Sequence, residues 1–201
     1  VPGSSTVMVA LPNQGSVATG MMKSLLSLSA DFLRNGVTLG LKTHQFSDIV
    51  MSRNWLMSRF LAETHYTHCL WLDSDVTFKP ATIWRMLRFG ADWTVAAYPQ
   101  KSIPWTRLRS AFEEEAGRRM KTPTAEVLSK SWRYTAQPGA FPGAPFQARS
   151  RDGFVTVPAC GAGLMLMRRA VPERMVVEGQ ALPKPRMDRE ERGVQVAFHD
   201  F

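Results

Sequence analysis

Two acids separated by a single residue, in Asp73-Ser74-Asp75, form the pair whose type and spacing most readily do chemistry. Directly before them runs Cys69-Leu70-Trp71-Leu72, apolar and too short for a helix. A short apolar run bounded by polar residues reads as a buried strand of a parallel sheet. Ligand sites of open α/β sheets lie just past the carboxyl ends of such strands. Unpaired buried charge is costly there, and a hard divalent cation is the simplest partner for two carboxylates. Residues i and i+2 of an extended segment face the same way, so Asp73 and Asp75 are expected to address one ion together with a phosphate group. Capping of the helix that opens near Pro80 is the competing use of these acids. The apolar strand before and the Pro-led helix after favour the ion.

The surrounding elements must place that pair. Val7 to Leu11 reads as a first buried strand, stopped by Pro12, with Asn13-Gln14-Gly15-Ser16 as the turn. Ser16 is the expected N-cap of a helix from Val17 to Arg34, with Met21, Leu25, Leu28 and Phe32 on one face and Asn35-Gly36 at its end. Val37 to Leu41 then gives a second strand. This β-α-β order implies a parallel sheet with a nucleotide-sized crevice after the first strand. Neither a Gly-x-Gly-x-x-Gly nor a Walker sequence is present, which removes support for dinucleotide and P-loop sites. A helix is expected from Ile49 to Thr64. Arg53 lies early in it, where the helix dipole does not favour a cation, so it answers a ligand phosphate or is a solvated surface residue.

Further on, Ala81 to Phe89 reads as a helix opened by Pro80 and ended by Gly90, and Trp93 to Tyr98 as a strand that brings Lys101 to the same sheet edge as the aspartates. Residues 102–153 are rich in Pro, Gly, Arg and aromatics, with helix expected only at Ala111 to Arg119 and Thr124 to Lys130. Long irregular insertions in compact domains are usually functional or disordered, so this stretch reads as an insertion or flap in a single domain spanning 1–201. Gly161 and Gly163 allow close backbone approach to a ligand. Leu164 to Met167 is another buried strand, with a helix starting at Arg168 to Pro172. The tail from Gln180 is polar and Pro-broken. The run Val194 to Phe201 is strand-like, and the natural chain is expected to continue past 201.

The 201 residues suit one domain with a sizeable core. The formal net charge of +8 attracts polyanions such as nucleotides, nucleic acid or acidic surfaces. No apolar run approaches the length of a membrane span, so no transmembrane segment is expected. Cys69 and Cys160 sit in apolar runs and read as small buried hydrophobes of a reducing compartment rather than a disulfide framework.

The order of these pieces — strand to Pro12, Ser52-Arg53-Asn54 on a helix, Thr67 to Val76 around Asp73-Ser74-Asp75, Tyr98-Pro99-Gln100-Lys101, and Cys160 to Met167 — resembles GT-A fold glycosyltransferases of bacterial, viral and phage type. The resemblance implies an α/β, Rossmann-like domain with a mostly parallel central sheet flanked by helices. It implies a nucleoside-diphosphate sugar as donor and Mn2+ or Mg2+ as cofactor. Carried onto this chain, Asp75 ligates the metal that bridges the diphosphate, and Asp73 reaches the donor ribose or sugar, directly or through the metal. Pro12 and Arg53 line the nucleotide pocket, with Ser74 and Lys101 as further donor contacts, and Gly161 to Gly163 border the donor sugar and acceptor. The chemistry agrees, because a departing diphosphate gathers negative charge that a hard cation and Arg or Lys stabilise.

Such enzymes commonly add a carboxylate base and a late His ligand. The candidates are Asp188, Glu190 and Glu191 for the base and His199 for the metal. Otherwise the base lies past Phe201, or the reaction retains configuration and needs none. The acceptor is a saccharide, a protein or a modified phage-type DNA base. Trp105, Arg107, Arg109, Trp132 and Arg133 suit stacking and phosphate contact, though sugar platforms and core packing use the same aromatics. A cytoplasmic location, in a bacterial cell or a phage-infected host, goes with this reading. The alternatives are a sugar-phosphate nucleotidyltransferase, whose Gly-rich Lys-Arg signature is missing after the first strand, and a non-catalytic nucleic-acid-binding domain.

Overall fold

A computed structural model describes residues 5–117, 123–136, 148–184 and 195–198, with 182–184 and 195–198 described by their backbone alone. The fold is α/β. Its elements run β1 (Thr6–Asn13), α1 (Thr19–Arg34), β2 (Thr38–Gln45), α2 (Ile49–Ala62), β3 (His68–Leu72), α3 (Pro80–Phe89), β4 (Trp93–Val95), α4 (Trp105–Gly117), α5 (Thr124–Ser131), β5 (Ser150–Arg151), β6 (Phe154–Val155), β7 (Leu164–Arg168), α6 (Ala170–Val177), β8 (Ala181–Lys184) and β9 (Gln195–Phe198). The chain forms two compact units. One comprises Val1–Val95 with Ala162–Phe201, and the other is Ala96–Gly161.

The first unit is built on a five-stranded sheet in the order β2-β1-β3-β7-β4. β1 pairs parallel with β2 and β3, while β7 runs antiparallel to both β3 and β4. Four strands therefore point one way and β7 alone is reversed. The carboxyl ends of β1, β2, β3 and β4 share one edge with the beginning of β7.

Val7 to Ala10 are fully buried, as a strand covered on both faces requires. Met8, Ala10, Cys69, Trp71, Met165 and Met167 face a cluster completed by Leu56, Met57 and Phe60 of α2 and by Val171 of α6. The alternate residues Val7, Val9, Leu70 and Leu166 must face the other side, where α1 and α3 bury Met21, Leu25, Leu28, Phe32, Ile83 and Met86. Gly40 on β2 is required by contact, since a Cβ there would lie 1.9 Å from the Tyr66 hydroxyl oxygen. Both cysteines are free thiols, Cys69 buried and Cys160 half-buried.

Several elements differ from expectation for identifiable reasons. β1 runs through Pro12 to Asn13 instead of stopping there. The β1–β3 ladder covers only Val7 to Ala10, so the missing Pro12 N–H removes no bond on that side. α1 begins at Thr19 with Ala18 as N-cap, not at Val17 behind Ser16. β2 extends to Gln45 because β1 offers it a partner along its whole length. β4 ends at Val95, short of Tyr98. α4 starts at Trp105, six residues before the expected Ala111. β5 and β6 form a hairpin inside the stretch read as irregular, closed by Asp152 and Gly153 with φ of 51° and 73°. The polar tail contributes β8, paired antiparallel with β9.

Candidate functional site

The Asp73-Ser74-Asp75 segment leaves the carboxyl end of β3 as a turn rather than an extended strand, with the Val76 N–H donating to the Asp73 carbonyl at 3.2 Å. The two side chains are therefore not related by strand alternation. They are brought to one edge by a turn fastened on both sides. The Asp73 N–H donates to the Gly163 carbonyl at 2.8 Å, just before β7, and the Ala18 N–H donates to the Ser74 carbonyl at 2.8 Å, at the start of α1. The Phe78 N–H donates to Ser24 Oγ at 3.0 Å. Gly20 faces Thr77 so closely that a Cβ would lie 2.5 Å from its Oγ1.

Arg53 arrives from α2, which Asp48 starts by accepting the Val50 and Met51 N–H groups at 2.8 and 3.1 Å. The Arg53 guanidinium donates through Nη2 to Asp73 Oδ1 at 3.0 Å. Its side chain is only 14% exposed, against 34% for Asp73, so this pair is screened less than a surface one. Arg53 Cζ lies 5.9 Å from the Trp71 ring centroid. Its Nε is buried without a hydrogen-bond partner. Neighbouring Ser52 is fully buried and meets His44 Nδ1 at 3.0 Å, and the His44 ring stacks on Trp55 at 4.6 Å. This packing holds the first turns of α2 in place.

The structure thus joins Arg53 to Asp73, with Ser74, Asp75 and Gly163 on the same segment or fastened to it. Asp75 is exposed and Ser74 half-buried, its carbonyl taken by α1. Pro12 is buried in β1 opposite His44, so the exposed chain at this edge is Gln14 to Ser16 rather than Pro12 itself. Asn13 is tied down there, its carbonyl accepting the Phe46 N–H at 3.1 Å and its side chain the Gly15 N–H at 2.9 Å.

Lys101 and Gly161 belong to the second unit. Gly161 is tight against its own unit, where a Cβ would come 3.0 Å from Thr135 and 3.2 Å from the Tyr98 hydroxyl. Asp188, Glu190, Glu191 and His199 lie outside the described residues. The second unit also holds a cavity of about 430 Å³ between α4 and α5, lined among others by Arg107, Glu114, Glu115 and Lys130; no sequence-predicted donor or metal residue lines it.

A divalent cation of the hard, oxygen-seeking kind fits the donors in part. Asp73 Oδ2 makes no hydrogen bond among the described residues, and Asp75 supplies a second carboxylate on the same turn. Among the described residues no group of three or more His, Cys, Asp or Glu gathers as a ligand set. A cation held here would complete its shell with substrate oxygens and water, as Mg2+ commonly does.

The Arg53–Asp73 pair was not legible from the sequence, since twenty positions separate the two. The one signal was a cation near the start of a helix, where the dipole does not favour it.

No family model matches the chain, and no curated protein matches it. Among solved structures, the crystal structure of A197 from STIV aligns with a TM-score of 0.47 at 15% identity, covering 85% of this chain and 68% of that one. A likeness at that level carries no argument about function. No helix among the described residues is long and apolar enough to cross a membrane.

Proposed function

We propose that this chain is a GT-A-type, metal-dependent glycosyltransferase that moves a sugar from a nucleoside-diphosphate sugar to an acceptor. One observation carries the reading: an acidic turn at the carboxyl edge of the sheet, fastened by α1 and β7, with a largely buried arginine on its first carboxylate. A diphosphate site needs both charges in one place.

The surroundings support it. α1 has no side-chain cap and no acid in its first turn, and its first intrahelical bond is that from Met22 N–H to the Ala18 carbonyl. The N–H groups of Thr19, Gly20 and Met21 are therefore orphaned by helix geometry at the edge where the acidic turn lies, and such a terminus favours phosphate. In this reading Asp73 Oδ2 and Asp75 hold the cation, Arg53 donates to diphosphate oxygens, and the α1 N-terminus faces the same charge. A cation held by these two carboxylates would supply positive charge against the charge that gathers on a leaving nucleoside diphosphate. Arg53 and the helix terminus add preorganised donors for that charge, already in position before bond breaking.

Thermal melting with a panel of nucleoside diphosphates, with and without Mn2+, tests this. One nucleotide is expected to raise the melting temperature only when Mn2+ is present, and Asp73→Ala and Asp75→Ala are each expected to abolish the shift. If no nucleotide shifts the wild-type chain with the metal, the reading fails.

A further inference from the structure

We infer that Arg53 is a moving guard on the cation site: it covers Asp73 until a diphosphate draws it away, so that cation and diphosphate bind cooperatively and the cation alone binds weakly. The inference rests on the glycosyltransferase reading but concerns the order in which the site is filled.

The argument starts from what the guanidinium lacks. Among the described residues Arg53 makes one contact to a carboxylate, from Nη2 to Asp73 Oδ1 at 3.0 Å. Its Nε is buried and unpartnered. A guanidinium is a fork built to meet two oxygens at once, and a single carboxylate oxygen leaves half of the fork unused. A buried donor without a partner is a cost the folded chain carries. A phosphate group presents several oxygens and can meet Nε and Nη2 together. Arg53 therefore gains a hydrogen bond by exchanging Asp73 for a diphosphate.

The second half concerns the cation. A positive guanidinium 3.0 Å from Asp73 Oδ1 opposes a divalent ion seeking the same carboxylate. Largely buried charges are screened little by salt, so the opposition persists at physiological ionic strength. Once the diphosphate has taken Arg53, both Asp73 oxygens face the ion and the diphosphate adds its own. Linkage makes the effect reciprocal: the cation must tighten the diphosphate by the same factor.

Mn2+ binding followed by the electron paramagnetic resonance of the free ion tests this, with the full chain and the nucleoside diphosphate found by melting. Wild type is expected to bind Mn2+ weakly alone and at least about fivefold more tightly with the diphosphate. Arg53→Met removes the guard, so Mn2+ alone is expected to bind at least about fivefold more tightly than to wild type, while the gain from diphosphate shrinks. Arg53→Lys keeps the charge but not the fork. It is expected to bind Mn2+ alone as weakly as wild type and to lose most of the diphosphate gain, which keeps the test open should the Met variant fold poorly. Equal Mn2+ affinity in wild type and Arg53→Met, or an undiminished diphosphate gain in Arg53→Lys, overturns the guard while leaving the glycosyltransferase reading intact. No Mn2+ binding to wild type with any nucleoside diphosphate present overturns that reading itself.

Discussion

His68 shows how one residue on the central strand can report on folding without touching the candidate site. It opens β3, whereas Asp73 follows the other end of that strand. Burial, and secondarily the Arg168 guanidinium, pushes its imidazole below the ordinary value of 6.5. Thr67 Oγ1 donates to the Thr6 carbonyl at 2.9 Å, so its contact with His68 Nδ1 at 2.8 Å is made by a ring N–H donating to the hydroxyl. The folded state thus prefers a neutral ring. The unfolded chain binds more protons across the window between the lowered folded value and 6.5, and stability rises with pH through that window. The contribution is complete above the unfolded value and is lost as pH falls below it. Denaturant titrations between pH 7.5 and 5 should therefore show wild type losing more stability than His68→Gln, while the Mn2+-dependent nucleotide shift at neutral pH stays the same in both. A variant curve parallel to wild type would remove His68 from the account. The same scale explains why part of the site escaped the sequence: Asp73 and Asp75 are visible as neighbours, but which cation answers Asp73 depends on how α2 lies against β1, and only packing decides that.

Among the elements, α2 carries Arg53 near its start, so whatever fixes its far end also fixes the site. That end is held by Arg169, just past β7. Its guanidinium donates to the carbonyls of Phe60 at 2.6 Å and Glu63 at 2.7 Å, to the Tyr66 carbonyl at 2.6 Å, and more loosely to Leu61 at 3.4 Å. Its Cζ lies 4.3 Å from the Phe60 ring centroid. Carbonyls at a helix end have no intrahelical partners, and a cation there also suits the helix dipole. Replacing Arg169 with Ala leaves these acceptors without a donor at a site only 15% exposed. The expected loss is about 3 kcal/mol, or roughly 6–12 °C in melting temperature for a chain of this size. Lys should rescue little, because one ammonium cannot reach carbonyls spread along a helix end. A melting temperature within 2 °C of wild type for Arg169→Ala would contradict this, on the scale of about 1 kcal/mol or less. The sequence marks Arg169 only as part of a helix start, because nothing local links it to residues a hundred positions earlier. By contrast, β1, β3, α3 and β7 were legible, since each is a compact apolar run or an amphipathic turn series with punctuation at its ends. The β5–β6 hairpin also carries a local signal: Asp152-Gly153 between short flanking segments is the pair that a two-residue turn with positive φ demands. β8 and β9 had no such signal, because each becomes a strand only by pairing with the other.

The net charge belongs to the molecule as a whole, and in the proposed glycosyltransferase reading it bears on the acceptor rather than the donor. A chain of formal charge +8 gathers polyanions at low ionic strength whatever its fold. Charge alone does not select one, so selection must come from a surface where charge meets a flat apolar group. α4 offers one. Trp105 at its start is 69% exposed, which argues against core packing. Arg109, also exposed, lies one turn further along the same helix face. An aromatic ring with a guanidinium beside it suits a stacked base or a sugar ring with an adjoining phosphate. Fluorescence anisotropy with labelled single-stranded and duplex DNA, at several salt concentrations, separates the two contributions. Affinity should fall steeply with salt for wild type and for Trp105→Ala alike, because phosphate contacts are shared by both. At fixed salt, Trp105→Ala should bind the single strand about tenfold more weakly, with the Mn2+-dependent nucleotide shift unaltered. Equal affinity of the two proteins for both DNAs, with sugar transfer intact to a neutral saccharide, would instead make the charge a matter of solubility and direct the search for the acceptor to uncharged glycans.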